Sequence, residues 1–281
     1  MKRALSSLFT HAVLFAFVAF ATYPLLWVIS LAFSSENDAS RAAVLPVPTH
    51  PSLDNLGSFV GIHQPGGVSL FALQLVNSLI VSALTALVAV AVATPASYAL
   101  ARMSFVGKTS GLRVLFATQM FPAVASAVPL YLLLEALHLL DSRAGLILVY
   151  STTAIPFAVF QLRGAIEAIP VDLEEAAMVD GATRFQAFTK VVVPALRPQI
   201  AVTALFAFMS AWNEFILAAT LLSRKEAFTL PIVLQSYVGE HMASWGVFAA
   251  GALLVSAPVM ALFYLAQRQL VSGLTAGGVK G

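Results

Sequence analysis

The chain has 281 residues, 59% of them hydrophobic and only 10% charged, with a formal net charge of +2 and no cysteine. A soluble domain carries about 25% charge, so this apolar surplus cannot be hidden in a core of this size and the solvent must be lipid. Disulfides, thiolate chemistry and cysteine-based metal sites are excluded. The small net charge gives no footprint for nucleic acid, and the length suits one membrane domain with no separate large soluble one.

In chain order, six long apolar segments are predicted as transmembrane helices, at 8–33, 71–100, 112–137, 145–162, 200–222 and 246–266. Each approaches or exceeds the ~20 residues that cross a bilayer as a helix. Helices satisfy every backbone group within lipid, and none of these runs alternates as a barrel strand would. Lys2 and Arg3 precede the first segment, but its apolar run is too long for the core of a signal peptide. Prolines at 24, 95, 122, 129, 156 and 258 predict kinks. The 34–70 segment is rich in Pro, Gly and Ser and reads as a cap outside the membrane.

Orientation follows from lysine and arginine. Lys2, Arg3, Arg102, Lys108, Arg113, Arg163, Arg184, Lys190, Arg197, Arg268 and Lys280 fall on one side, against Arg41, Arg143, Arg224 and Lys225 on the other. The positive-inside rule puts both termini and the 163–199 loop in the cytoplasm, and 34–70 outside.

That 163–199 loop contains DLEEAAMVDGATRFQAFTK (172–190), where charges crowd together in an otherwise greasy chain. Asp172 with Glu175, and Thr183 with Gln186, match the spacing of a capping box and predict two short helix starts. Gly181 between them suits a left-handed turn that ends the first helix, and Pro194 is expected to stop the second. Leu173, Ala176 and Ala177 would share one face of the first helix; Phe185, Phe188 and Val192 would share a face of the second. Small alanines allow close approach and exposed phenylalanines serve as anchors, so this surface suits a protein partner. The competing reading is an amphipathic hairpin packed on its own membrane helices.

The motif Glu175-Ala176-Ala177, three residues, Gly181, nine residues, then Val191-Val192-Val193-Pro194 resembles the EAA loop of bacterial ABC importer permeases, E-A-A-x3-G-x9-I-x-L-P. Val191 and Val193 replace the family's Ile and Leu. Six spans, Trp212-Asn213-Glu214-Phe215 and the ending 274–281 extend the resemblance to the smaller, MalG-like permease subunit of maltose-type carbohydrate importers. The resemblance implies an all-α integral membrane protein with the type I importer permease fold. It implies that Glu174, Glu175, Ala176, Ala177, Asp180, Gly181, Phe185, Phe188 and Pro194 dock on a cytoplasmic ATPase, and that Gly277, Gly278 and Lys280 lie in a flexible tail reaching the ATPase dimer. The implied partners are a second, MalF-like permease, two MalK-like ATPase subunits and an extracytoplasmic sugar-binding protein. ATP with Mg would be bound by the ATPase subunits, with no cofactor on this chain.

The chain itself shows no engine. Gly107-Lys108-Thr109 looks like the end of a phosphate-binding loop, but position 102 is Arg where that motif needs Gly. Within the membrane, Glu214 is costly if it faces lipid. Ser210, one helical turn earlier, is expected to bond to it, and Trp212 and Asn213 complete a cluster suited to a sugar in a translocation path or gate. A structural hydrogen bond between helices is the alternative role. A proton site at Glu214 in an ion-coupled secondary transporter is the competing function.

Overall fold

The computed structural model describes residues 2–35, 46–48, 50–62, 67, 69–239 and 244–278. Among them no β-strand forms, and Ser34 with Pro51 makes an isolated antiparallel bridge. The helices are α1 (Lys2–Ala32), α2 (Asp54–Val60), α3 (Leu70–Arg102), α4 (Lys108–Met120), α5 (Ala127–Ala136), α6 (Arg143–Glu167), α7 (Asp172–Val179), α8 (Arg184–Ala187), α9 (Val193–Ala195), α10 (Arg197–Trp212), α11 (Ile216–Leu221), α12 (Leu230–Ser236) and α13 (Trp245–Gly278).

Four described stretches are single helices long and apolar enough to span a bilayer: Ser7–Ala32, Leu70–Arg102, Arg143–Glu167 and Trp245–Gln267. The predicted spans at 112–137 and 200–222 are corrected in one respect, since neither is a continuous helix. The first breaks at Phe121 and Pro122, where the chain turns extended and two helical pieces meet at 95°. Pro122 lacks an N–H and disfavours helix at the residue before it. The second ends as a helix at Trp212 and resumes at Ile216. Before it, Arg184–Ala195 and Arg197–Trp212 meet at 72°.

Two compact units divide the chain, Met1–Leu73 with Ile232–Pro258, and Gln74–Pro231 with Val259–Gly281. In the first, Leu31 and Ala32 of α1 pack on Ala249 and Ala250 of α13. Asn55 of α2 is buried and donates through Nδ2 to the carbonyls of Leu31 (3.3 Å) and Ser34 (2.6 Å). Gly246 lets that amide in, because a Cβ there would lie 2.5 Å from Asn55 Nδ2. Positions 36–45 of the predicted outer cap fall outside the described residues.

The second unit is built on a stripe of small residues along α3. Ser78, Ser82, Thr85, Ala89, Ala93 and Ser97 recur every three or four positions and are all buried, which places them on one helix face. Small side chains of this kind let membrane helices approach closely. Ser97 Oγ donates across to the Val159 carbonyl of α6 at 3.0 Å. At the other end of α3, Gln74 donates to the Lys225 carbonyl and Asn77 to those of Glu226 and Phe228. Arg143 Nε donates to Asn77 Oδ1 at 2.8 Å. This network ties the 225–228 loop to the first turns of α3 and α6.

Candidate functional site

The 163–199 loop is a helical hairpin with two terminators that its sequence dictates. Gly181 has φ +90°, a conformation open to glycine and costly for other residues. Its N–H donates to the Met178 carbonyl (3.1 Å) while Ala182 N–H reaches the Ala177 carbonyl (3.0 Å). Together these close α7 as a Schellman motif. Thr183 and Gln186 form the expected capping box: Gln186 N–H donates to Thr183 Oγ1 (3.2 Å), and Thr183 N–H donates to Gln186 Oε1 (2.8 Å).

Asp172 differs from expectation. Val171 holds the cap position of α7, and the amides of Glu174 and Glu175 turn back to the Val171 carbonyl. Asp172 therefore lies in the first turn, where its charge favours the helix dipole without a capping bond. Pro194 also differs, because it does not stop the second helix. A π turn at Phe188–Val192 precedes it and the helix goes on to Ala195. Proline is tolerated there because the π turn has already interrupted the regular i→i−4 ladder.

The docking residues predicted from sequence separate into two groups. Glu175, Ala176, Asp180, Gly181 and Phe185 are exposed, Phe185 at 73%, and Ala177 is half-buried. Glu174 points the other way and is 4% exposed. Tyr98 Oη donates to its Oε2 at 2.8 Å and Arg102 Nε to its Oε1 at 2.6 Å. Arg102 also donates to the Ile169 carbonyl at 2.7 Å. Glu174 is thus not part of a docking face; it fastens α7 to the end of α3. Phe188 and Val192 leave the predicted Phe185 face as well: Phe188 packs on the Tyr98 ring at 4.6 Å, and Val192 is fully buried with Tyr98, Ile166 and Leu196.

The cluster predicted at 210–214 does not assemble. The helix ends at Trp212, so the turn geometry that would bring Ser210 to Glu214 is lost. Trp212 is 2% exposed and stacks on Phe208 at 5.5 Å. Asn213 Nδ2 donates to the Met209 carbonyl of its own helix at 2.9 Å. Glu214 accepts from the amides of Leu217 (2.9 Å) and Ala218 (3.0 Å), capping α11, and from Tyr150 Oη (2.9 Å). Ser210 is exposed and borders a cavity with Gln119 and Thr153. Sequence reasoning alone passes over Tyr98, Arg102, Tyr150 and Gln119. Tyr98 and Arg102 stand four apart on α3, and Gln119 is an amide inside an apolar run; these are the signals that could have found them.

In the tail, α13 runs to Gly278, so Gly277 and Gly278 are helical and not the flexible stretch expected. Cooperative extension of a long helix outweighs the ~1 kcal/mol that each glycine costs. Lys280 lies outside the described residues.

Residues 90–275 match the family described as "Binding-protein-dependent transport system inner membrane component". The chain belongs to that family. The trehalose transport system permease SugB of Mycobacterium tuberculosis is 36% identical to this permease over 267 residues, 94% of either chain. The maltose/maltodextrin permease MalG of Vibrio parahaemolyticus is 38% identical over 285 residues, 97% of this chain and 95% of MalG. The crystal structure of a bacterial transporter that imports the acidic polysaccharide alginate superposes with a TM-score of 0.75 at 22% identity, over 95% of this chain and 97% of that one. The permease thus has the ABC importer fold and is a multi-pass transport component, not an enzyme.

Proposed function

We propose that the permease forms half of the translocation pathway of an ATP-driven carbohydrate importer, with a maltose-like or related oligosaccharide as cargo. Its partners are a second, MalF-like permease, two MalK-like ATPase subunits that bind ATP with Mg, and an extracytoplasmic sugar-binding protein. Both termini and the 163–199 loop lie on the cytoplasmic side. The observation that carries this reading is the loop itself. Glu174 is anchored inward on Arg102 and Tyr98, while Glu175, Gly181 and Phe185 stand outward on the same hairpin. An element exposed on one face and bolted to a membrane helix on the other can pass a push from a partner into the membrane. Gly107, in the phosphate-loop-like stretch, is the left-handed cap residue of α4, which supports leaving ATP to the partners.

The test is uptake of labelled trehalose, maltose and maltodextrins into proteoliposomes that hold the complete importer and enclosed ATP. Uptake should require ATP and the binding protein and should survive an ionophore. Uptake that collapses with the ion gradient while ATP stays high would instead make this an ion-coupled carrier.

A further inference from the structure

The sequence pattern points to a substrate path around Trp212 and Glu214, and those side chains are occupied within the protein. A different surface has the polar chemistry left over. Two cavities of about 660 Å³ and 310 Å³ adjoin at Gln119 and Thr153. The first lies against the α4 break, at Thr118 to Pro122; the second reaches Ser210 on α10 and the rings of Phe157 and Phe206. Both volumes are in the range of small-molecule sites.

Three features make this more than a dimple between helices. First, Gln119, Thr153 and Ser210 are exposed deep within apolar segments: Thr153 near the middle of α6, Gln119 at the end of α4 beside its break, and Ser210 in the last turn of α10. Gln119 is about 16 Å along α4 from Lys108, Thr153 about 15 Å along α6 from Arg143, and Ser210 about 20 Å along α10 from Arg197, at 1.5 Å per residue. Exposed amides and hydroxyls at that depth are unfavourable against lipid and belong on a wet or protein-covered face.

Second, the bonding is lopsided. Gln119 Nε2 donates to the Thr153 carbonyl at 3.1 Å, and Thr153 Oγ1 donates to the Tyr150 carbonyl at 2.9 Å. Each group has anchored itself with a donor. The Gln119 carbonyl and the Ser210 hydroxyl have no protein partner among the described residues. The face therefore offers acceptors at Gln119 Oε1, Thr153 Oγ1 and Ser210 Oγ, with the second Gln119 N–H and the Ser210 O–H as donors, a set that suits a ligand rich in hydroxyls.

Third, the backbone is irregular there. α4 stops at Met120 and Phe121 is extended, so the last carbonyls of α4 lack helical partners. Unwound backbone at membrane depth is tolerated where it borders a cavity. The edge-to-face pair Phe157–Phe206, with centroids 6.1 Å apart, supplies an apolar wall. Acceptors beside an aromatic wall match a sugar, with hydroxyls at its rim and C–H groups on its faces.

We infer that this subunit contacts the transported sugar directly, with Gln119, Thr153 and Ser210 accepting hydrogen bonds from sugar hydroxyls beside the Phe157–Phe206 wall. The inference rests on the carbohydrate reading above, and its test keeps the two apart.

The assembled importer with enclosed ATP is first assayed with 14C-trehalose and 14C-maltose. Failure of the unaltered importer to take up either would overturn the carbohydrate reading, and this inference with it. With an accepted sugar in hand, Ser210→Cys and Gln119→Cys are made in this cysteine-free chain. They are treated with a charged, water-soluble thiosulfonate, scoring modification on this subunit's band. Modification at both positions, slowed at least five-fold by the accepted sugar and not by an equal concentration of mannitol, is the expected result. Modification that sugar does not slow would leave a wet surface that sugar does not touch, and would overturn the inference while uptake stands. Absence of modification would put the face against lipid or protein, and would overturn the inference in the same way. Gln119→Leu should raise the KM for uptake about ten-fold. Unchanged KM in Gln119→Leu counts equally against the contact.

Discussion

Glu214 illustrates how one residue's role turns on where its helix ends. In an unbroken helix it would be a lone carboxylate facing whatever lies beside span five. Because α10 stops at Trp212, its two oxygens reach the first amides of α11 and the Tyr150 hydroxyl. Loss of a cap of this kind costs about 1 kcal/mol. Glu214→Ala should therefore lower the melting temperature of the purified permease measurably, and Tyr150→Phe should add little more in the double variant, since both remove one shared bond. Full additivity of the two would refute the shared contact. Glu214→Gln keeps an acceptor for the helix start, so ATP-driven uptake should persist at a reduced rate. Abolished uptake alongside normal ATP hydrolysis would restore the proton-site reading. Asp141 offers a pH handle outside the spans. Burial works to raise its pKa, but the amides of Ser223 and Arg224 and the Arg224 charge hold it below the ordinary carboxylate value of 3.8. A depressed folded pKa means the stabilisation is present above that ordinary value and is lost as pH falls through the lowered one. Protection of the 221–225 amides, corrected for the pH dependence of intrinsic exchange, should be high at neutral pH and fall below about pH 4, the ordinary aspartate range. In Asp141→Asn, exchange at neutral pH should already be fast.

At the scale of the element, the hairpin's turn was legible in sequence; its outer ends and its orientation were not. Gly181 and the Thr183/Gln186 box are local devices, each set by residues within a few positions, so pattern alone locates them. Which of Glu174 and Glu175 faces outward is decided by Tyr98 and Arg102, more than seventy positions earlier on α3, and no local pattern carries that. A helix turns about 100° per residue, so adjacent glutamates necessarily part company. This yields an element-level prediction. Arg102→Ala leaves a buried carboxylate unpaired, which costs about 3–5 kcal/mol when a buried pair loses one member. The variant should release α7 and reduce both co-purification of the ATPase subunits and sugar uptake. Arg102→Met with Glu174→Leu removes both charges and should recover co-purification. If Arg102→Ala leaves co-purification and uptake intact, the anchor does not matter for coupling. Gly181→Val is a milder probe. A Cβ at Gly181 meets nothing within 4 Å, so the penalty within this chain is backbone strain alone, about 1–2 kcal/mol. Folding should be nearly normal, and any larger fall in ATPase binding would report on the partner's close approach.

Across the whole molecule, membrane character was readable because the bilayer sets a length that apolar composition must meet. The breaks were not, although Pro122 and the polar pair Asn213-Glu214 stood at both of them. An apolar run records that a segment is in lipid, not whether its helix is continuous; continuity depends on what neighbouring helices offer the freed backbone groups. The same separation applies to topology. Eleven of the fifteen Lys and Arg residues fall on one side of the six segments, and the rule acts during insertion, through short loops near span ends. Its consequence can be tested because the chain has no cysteine. Gln186 and Ser223 are both exposed, on opposite sides of α10 and α11 in the chain. In intact cells whose outer barrier is made permeable, a membrane-impermeant maleimide should label Ser223→Cys and leave Gln186→Cys untouched. In inside-out vesicles the labelling should exchange. Both variants keep every Lys and Arg, so the charge asymmetry is undisturbed by the probe. The reverse pattern would put the 163–199 hairpin outside the cell, away from any ATPase, and the coupling role proposed for it would fall. Labelling of both positions from the same side would mean that the broken segment 197–221 turns back without crossing, a path that its 16-residue α10, about 24 Å long, is short enough to allow.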